Sequence, residues 1–451
     1  WTGADFFRGE VAFDGYPWGF ASHPLIEWWP AAAPGALGGV YFATFLVALL
    51  AGAIVDLAHR RSRTGLIALA AAAAGWGAGL IAVGVSTAPG REVRVAILQT
   101  NVLQDNKLKW TIETQLDCWR EMRAMALAAP ESRPSFVVWP ETMMPGFTIS
   151  PEACQVLIDN AVVFKTQDGH ELRATLFRDD LISLQRETNL PMLVGDEAIE
   201  GLRVEEVEEG LEFPSDHRFN SVFLVDGGRV GERYDKMHLT PFGEVMPYIN
   251  QWPWLQQQLI EIGAQGMKFN LSQGRRRTVL RVRDAQGGDP IRVAAPICFE
   301  STDASIVRNL VFANGERRAD LIAFVTNDGW FGDFDSTRLQ HLQAARWRCL
   351  ELGTPGVRSA NTGLSAAIDA RGRVVRSGTD DAPGASRVSG VLNVTPALGT
   401  GTTIYARIGD LWGWMCLAAC PILALSAGRM ARARARDTLD NAAGAAGGHR
   451  R

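Results

Sequence analysis

RVAAPICFE, from Arg292 to Glu300, is a short apolar run that ends in a thiol and a carboxylate. Its length, its β-branched residues and its polar closure predict a strand buried on both faces. Five other runs share that form: VRVAILQ (Val93 to Gln99), FVVWPE (Phe136 to Glu141), MLVGDEA (Met192 to Ala198), NSVFLVD (Asn220 to Asp226) and LIAFVTND (Leu321 to Asp328). Helical stretches are expected between them, at Ile112 to Ala128 and Arg338 to Leu352. Strands alternating with helices predict an α/β domain in which helices pack on sheets. The acidic stretch EEVEEGLE, Glu205 to Glu212, is expected to be a solvated insertion.

Reactive groups in α/β folds collect at the carboxyl ends of strands. Glu141 closes FVVWPE behind Trp139 and Pro140, where desolvation would raise its pKa toward the range of a general base. Cys298 closes RVAAPIC, and a helix expected from about Thr302 would place the thiol near a helix N-terminus, a position that favours the thiolate. Lys236 follows an apolar strand in RYDKMHLTPFGEVMPY and precedes a rigid turn containing Glu244. Singly, each has an ordinary structural reading. Jointly they supply a proton acceptor, a fixed cation and a nucleophile, which is what acyl transfer through a thioester needs.

The chain has 451 residues, 47% of them hydrophobic, which is high for a wholly soluble protein. Leu37 to Leu57, Gly65 to Ser86 and Ile408 to Gly428 are each long and apolar enough to cross a bilayer as a helix. His59 to Arg63 lies between the first two, and Arg429, Arg432, Arg434 and Arg436 follow the third. By the positive-inside rule both clusters face the cytoplasm, which puts the region between the second and third spans outside. The first 34 residues carry Tyr16, Trp18, Trp28 and Trp29 among Pro and Gly and are expected to form an interfacial or re-entrant loop. Net charge is −4 and no basic run is interleaved with aromatics, which argues against a nucleic-acid groove. Six scattered cysteines without a CxxC pair indicate neither a zinc site nor a disulfide framework, so no metal or cofactor is expected. The start at Trp1 leads us to expect a chain that lacks upstream spans.

WPET (Trp139 to Thr142), YDKMHLTPFGEVMP (Tyr234 to Pro247), ICFE (Ile297 to Glu300), TNDGWFG (Thr326 to Gly332) and QHLQAARWRCLELGTPGVRSANTG (Gln340 to Gly363) resemble motifs of the nitrilase superfamily. The resemblance is specifically to its apolipoprotein N-acyltransferase family of bacterial inner membranes, and runs from the first residue to about Gly428. It implies a nitrilase-like αββα sandwich inserted between transmembrane helices: a membrane region at 1–90, a periplasmic catalytic domain at 91–407, a C-terminal span at 408–428 and a basic cytoplasmic tail at 429–451. It implies that Glu141, Lys236 and Cys298 are the catalytic triad, with Glu244 a second carboxylate near the lysine. Trp110 matches a tryptophan at the acyl-donor site, and Phe299, Glu300, Asn327 and Trp330 match pocket or supporting positions. The implied partners are a phospholipid acyl donor and a diacylglyceryl-prolipoprotein acceptor. Phe299 stands where the family commonly has Tyr, and the segment from Ala161 to Asp216 is longer and more acidic than usual. The alternatives are a membrane-anchored nitrilase or amidase acting on a small substrate and an idle membrane scaffold; a transporter fits poorly, because the spans lack charged midplane residues.

Overall fold

Alternate residues of Val95 to Leu98 point to different cores: Val95 and Ile97 pack inward against a second sheet, whereas Ala96 and Leu98 face an outer helical layer. That alternation is the reason the strand is apolar throughout. The computed structural model describes residues 1–60, 62–102, 110–208, 210–241, 243–245, 271–426 and 429. Of the sequence features named above, Arg61, Glu209, Phe242, Met246 to Tyr248, Ala427, Gly428, Arg432, Arg434 and Arg436 lie outside the described residues.

Twelve described strands form the sandwich: β1 (Val95–Gln99), β2 (Phe136–Val138), β3 (Met192–Glu200), β4 (His217–Asp226), β5 (Arg229–Asp235), β6 (Leu280–Val282), β7 (Ile291–Ala294), β8 (Leu321–Thr326), β9 (Gly356–Ala360), β10 (Ala366–Ile368), β11 (Val374–Ser377) and β12 (Gly390–Val394). One sheet has the order β5-β4-β3-β2-β1-β12 and the other β6-β7-β8-β9-β10-β11. The middle of each is parallel, β1-β2-β3 and β7-β8-β9, and the flanks are antiparallel. Helices Ile112–Ala128 and Leu176–Thr188 cover the first sheet, and Ala304–Val311 and Asp335–Leu352 cover the second. The expected αββα layering follows. Ser359 pins the sheets together, its hydroxyl donating to the Leu98 carbonyl at 2.7 Å. Glu205–Val207 and Gly210–Glu212 form a small exposed hairpin, which is the acidic insertion.

Helices α1 (Gly35–Arg60) and α2 (Arg63–Ser86) precede the sandwich and pack on each other. Both are long and apolar enough to cross a bilayer, with mean hydropathies of 2.2 and 2.0 in their most apolar windows. Ile54, Ile67, Ile81 and Val85 on them are exposed, whereas a core helix of a soluble domain would bury such residues. Near its start α1 breaks at Gly38 and Gly39; Gly39 has φ +71°, and a Cβ there would meet the Tyr405 ring at 2.6 Å. The third apolar helix, described from Leu411 to Ser426, begins three residues later than expected. Gly409, at φ +61°, separates it from the short helix Ile404–Ile408, and Tyr405 donates to Asp410 at 2.9 Å across that turn.

The opening segment is fastened to the sandwich. Trp28 is exposed, but the backbone around it is fastened to Asp335–Leu352. Trp347 donates to the His23 carbonyl at 3.0 Å, and Arg346 to the Ile26 carbonyl at 2.6 Å and to Glu27 at 2.7 Å. Tyr16 and Trp18 turn toward the ends of the central strands.

Candidate active site

Four chain segments meet where the parallel strands of the two sheets end. Glu141 lies three residues past β2, and its buried carboxylate is held from two sides. Asn220 Nδ2 donates to Oε1 at 2.6 Å, and the Asn327 backbone N–H, just past β8, donates to Oε2 at 2.8 Å. The Cys298 thiol also hydrogen-bonds this carboxylate. Burial raises the Glu141 pKa above the usual carboxylate range, against the pull of the Lys236 ammonium.

Lys236 follows β5 and is 1% exposed. Its Nζ lies 2.6 Å from Glu244 Oε2 and 3.8 Å from Glu141 Oε1, with Thr240 Oγ1 at 3.4 Å. Burial works against the charged amine, yet Glu244 and Glu141 hold its pKa above the ordinary lysine value. The same pairing holds Glu244 below the usual carboxylate range despite burial. Asn220 Nδ2 reaches Glu244 Oε1 at 3.1 Å, so one amide spans both carboxylates. The lysine is therefore held as a buried cation between two carboxylates.

Cys298 opens a tight turn, Cys298–Ser301, with φ +49°, an uncommon conformation for a residue with a side chain. The expectation of a stabilised thiolate is corrected here. Burial and then the Glu141 charge push the thiol pKa up, with Lys236 opposing. The α-helix expected from about Thr302 starts at Ala304, with Asp303 as its cap. A dipole end acts over about one turn, whereas the carboxylate is in contact.

Glu300 is fully buried and accepts four hydrogen bonds. Oε1 takes the Tyr234 hydroxyl at 2.8 Å and the Met237 and His238 N–H groups at 2.7 and 3.1 Å, and Oε2 takes the Ile297 N–H at 2.8 Å. It clamps the lysine segment to the cysteine turn and leaves no free oxygen for a ligand. Phe299 packs edge-on to His238, at 5.5 Å between ring centres, and against Tyr16 at 5.7 Å. Trp330 is 48% exposed on the turn after β8. Trp110 stands just before the helix Ile112–Ala128, next to residues 103–109, which are outside the described set.

Several residues of the site carried no assigned role in the sequence. Asn220 was legible only as the start of a strand, and the sole hint was an amide opening an apolar run. His341, Asp328 and Arg358 sit inside quoted motifs, and they pack beneath Cys298. Trp18 lies over His341 and Phe331, at 5.8 Å from each ring, so part of the aromatic belt roofs the site. Among the described residues no cluster of His, Cys, Asp or Glu is arranged to hold a metal ion.

The carbon-nitrogen hydrolase family matches residues 94–389, the whole sandwich from β1 nearly to β12. An apolipoprotein N-acyltransferase of Bradyrhizobium diazoefficiens is 29% identical over 94% of this chain and 71% of its own length. Another from Sinorhizobium medicae is 33% identical over 82% of this chain and 62% of its own, and one from Bordetella bronchiseptica is 30% identical over 96% and 73%. An amidase from Nesterenkonia sp. of known structure aligns at 18% identity and a TM-score of 0.42, over 69% of this chain and 92% of that one. Because the similarity to the acyltransferases extends from the sandwich through the apolar helices, this chain belongs to the apolipoprotein N-acyltransferases of the carbon-nitrogen hydrolase family.

Proposed function

We propose that this chain moves an acyl group from a membrane phospholipid to the N-terminal amine of a diacylglyceryl-cysteine on a lipoprotein, through a thioester on Cys298. The observation that carries the reading is the cluster of the buried Glu141 and Lys236 with the half-buried Cys298, in a domain joined to two exposed apolar helices. Because the resting thiol is protonated, Glu141 takes its proton as the sulfur attacks the ester carbonyl, rather than relying on a preformed thiolate. Lys236 Nζ and the Phe299 N–H stabilise the oxyanion. Collapse breaks the ester C–O bond, and the departing lysophospholipid oxygen takes the proton from Glu141. In the second half the lipoprotein amine attacks the thioester, Glu141 accepts the amine proton, and the proton returns to the sulfur as the amide forms.

In this scheme Glu244 fixes the lysine, Glu300 and the Asn327 backbone hold the frame, and Trp110, Phe299 and Trp330 bound the side on which lipid enters. We place residues 1–90 and 408–428 in the bacterial inner membrane, 91–407 in the periplasm and 429–451 in the cytoplasm. Lipid substrates give membrane attachment a purpose, since neither leaves a bilayer readily. The test is intact-mass analysis of the full chain exposed to phospholipid vesicles. The expected result is an acyl adduct mapping to Cys298 and discharged by a diacylglyceryl-cysteine peptide. Turnover of a short amide without any such adduct would favour the small-substrate amidase instead.

A further inference from the structure

Beneath the cysteine turn lies a buried chain of three polar side chains that the mechanism above does not use. Arg358 is 1% exposed, and its Nη2 donates to Asp328 Oδ1 and Oδ2 at 2.9 and 2.8 Å. Asp328, itself fully buried, faces His341 Nδ1 at 2.8 Å. Despite burial, Arg358 and His341 hold its carboxyl well below the usual range, so it is a fixed anion. His341 Nε2 then meets the Cys298 carbonyl oxygen at 3.1 Å. Arg358 Nη2 also approaches Nδ1 at 3.2 Å. Whatever proton Nδ1 carries, Nε2 must be a donor, because a carbonyl oxygen can only accept.

That contact controls a direction. In a planar trans peptide the C=O and the following N–H point opposite ways, so holding the Cys298 carbonyl down on His341 turns the Phe299 N–H up, away from the histidine. Phe299 is the second residue of its turn, where an N–H has no partner inside the turn. The arrangement needs Cys298 at φ +49°, a conformation that neighbouring structure must hold in place.

We infer that His341, anchored by Asp328 and Arg358, is a positioning residue that locks the Cys298–Phe299 peptide with its N–H aimed into the oxyanion site. The inference rests on the acyl-transfer reading above and deepens it. Trp18 and Phe331 close over the histidine ring, with centres at 5.8 and 5.6 Å, and the ring is 1% exposed.

Two substitutions separate the two nitrogens. His341→Gln keeps an N–H donor close to the place of Nε2, whereas His341→Asn keeps one close to Nδ1 and abandons the cysteine carbonyl. Each is made in the full chain and assayed for acyl transfer and for alkylation of Cys298 by chloroacetamide, a displacement that builds no oxyanion. We expect His341→Asn to lose roughly 10²-fold in kcat with KM little changed, the scale of a lost oxyanion-hole donor. Its alkylation rate should match wild type, and His341→Gln should recover most of the transfer activity. Wild-type kcat in His341→Asn would overturn the inference, as would equal losses in both variants or a parallel fall in alkylation. A different outcome tests the parent reading: full acyl transfer by Cys298→Ala would remove the thioester mechanism whatever His341 does.

Discussion

Replacing Lys236 by Met removes the cation that lies between two buried carboxylates. Lys236 Nζ is 2.6 Å from Glu244 and 3.8 Å from Glu141, and after its loss Asn220 is, among the described residues, the group left bridging them. Two anions so placed cannot both stay ionised, so one carboxyl takes up a proton. Removing one partner of a buried ion pair costs on the order of 3–5 kcal/mol. The pH dependence of that cost follows from the directions of the shifts. Glu244 has a depressed pKa, so its contribution is present above the unfolded carboxylate value and fades as pH falls through the folded one. Lys236 has a raised pKa, so its contribution is complete below the unfolded lysine value and is lost only as pH rises through the folded one. The stability gap between wild type and Lys236→Met should therefore be widest between roughly pH 5 and 10 and shrink toward pH 4. Catalysis suffers separately, because losing an oxyanion donor costs about 3–4 kcal/mol, or 10²–10³-fold in thioester formation. The assays are rapid-quench intact mass for the acyl adduct and thermal unfolding in detergent across that pH range. Alkaline pH should not restore the variant, since raising pH returns a base but no cation. If Lys236→Met recovers as pH rises while Glu141→Gln does not, the lysine chiefly tunes the thiol and the division of roles proposed here is wrong.

Burial and Glu141 push the Cys298 thiol up, so its chloroacetamide labelling rate should still be climbing beyond pH 9; a plateau below pH 8 would contradict the protonated resting state. Cys298→Ser should retain the fold, checked by thermal unfolding, and lose acyl transfer, because a hydroxyl cannot be activated by the same base; near-wild-type turnover would refute the nucleophile assignment. Glu300→Gln sets an amide NH2 against one of four inward-pointing donors, and the lost charged hydrogen bond plus a stranded donor should cost about 3 kcal/mol or more, read as a lowered melting temperature; an unchanged one would show that the clamp is dispensable. A reporter placed after Arg436 should behave as cytoplasmic and one at Glu208 as periplasmic; a cytoplasmic Glu208 reporter would exclude lipoprotein acylation in the periplasm.

The strands were legible because each is buried on two faces, and burial on two faces forces apolar residues at every position, as in Val95 to Leu98 and Leu321 to Val325. Helices α1 and α2 were legible for a related reason, since a helix apolar enough to cross a bilayer shows no polar face in its sequence. Glu141, Lys236 and Cys298 could be singled out because each follows a strand closely, and strand ends are where a sheet leaves room for chemistry. Which groups meet there is another matter. The Asn327 N–H that holds Glu141 is 186 residues away in sequence, and Gln340, bonded to Trp18, is 322 residues away. Asn220, His341, Asp328 and Arg358 carry no local signature of their roles, because each acts through a neighbour supplied by another strand or helix. The direction of the Cys298 pKa shift is not legible locally for the same reason: the sequence shows a helix ahead of the thiol, whereas the shift follows from desolvation and from a carboxylate on the opposite sheet. Periodicity and motif are properties of one segment and can be read from it. Burial, electrostatic field and peptide orientation are sums over segments that only the folded chain brings within a few ångströms.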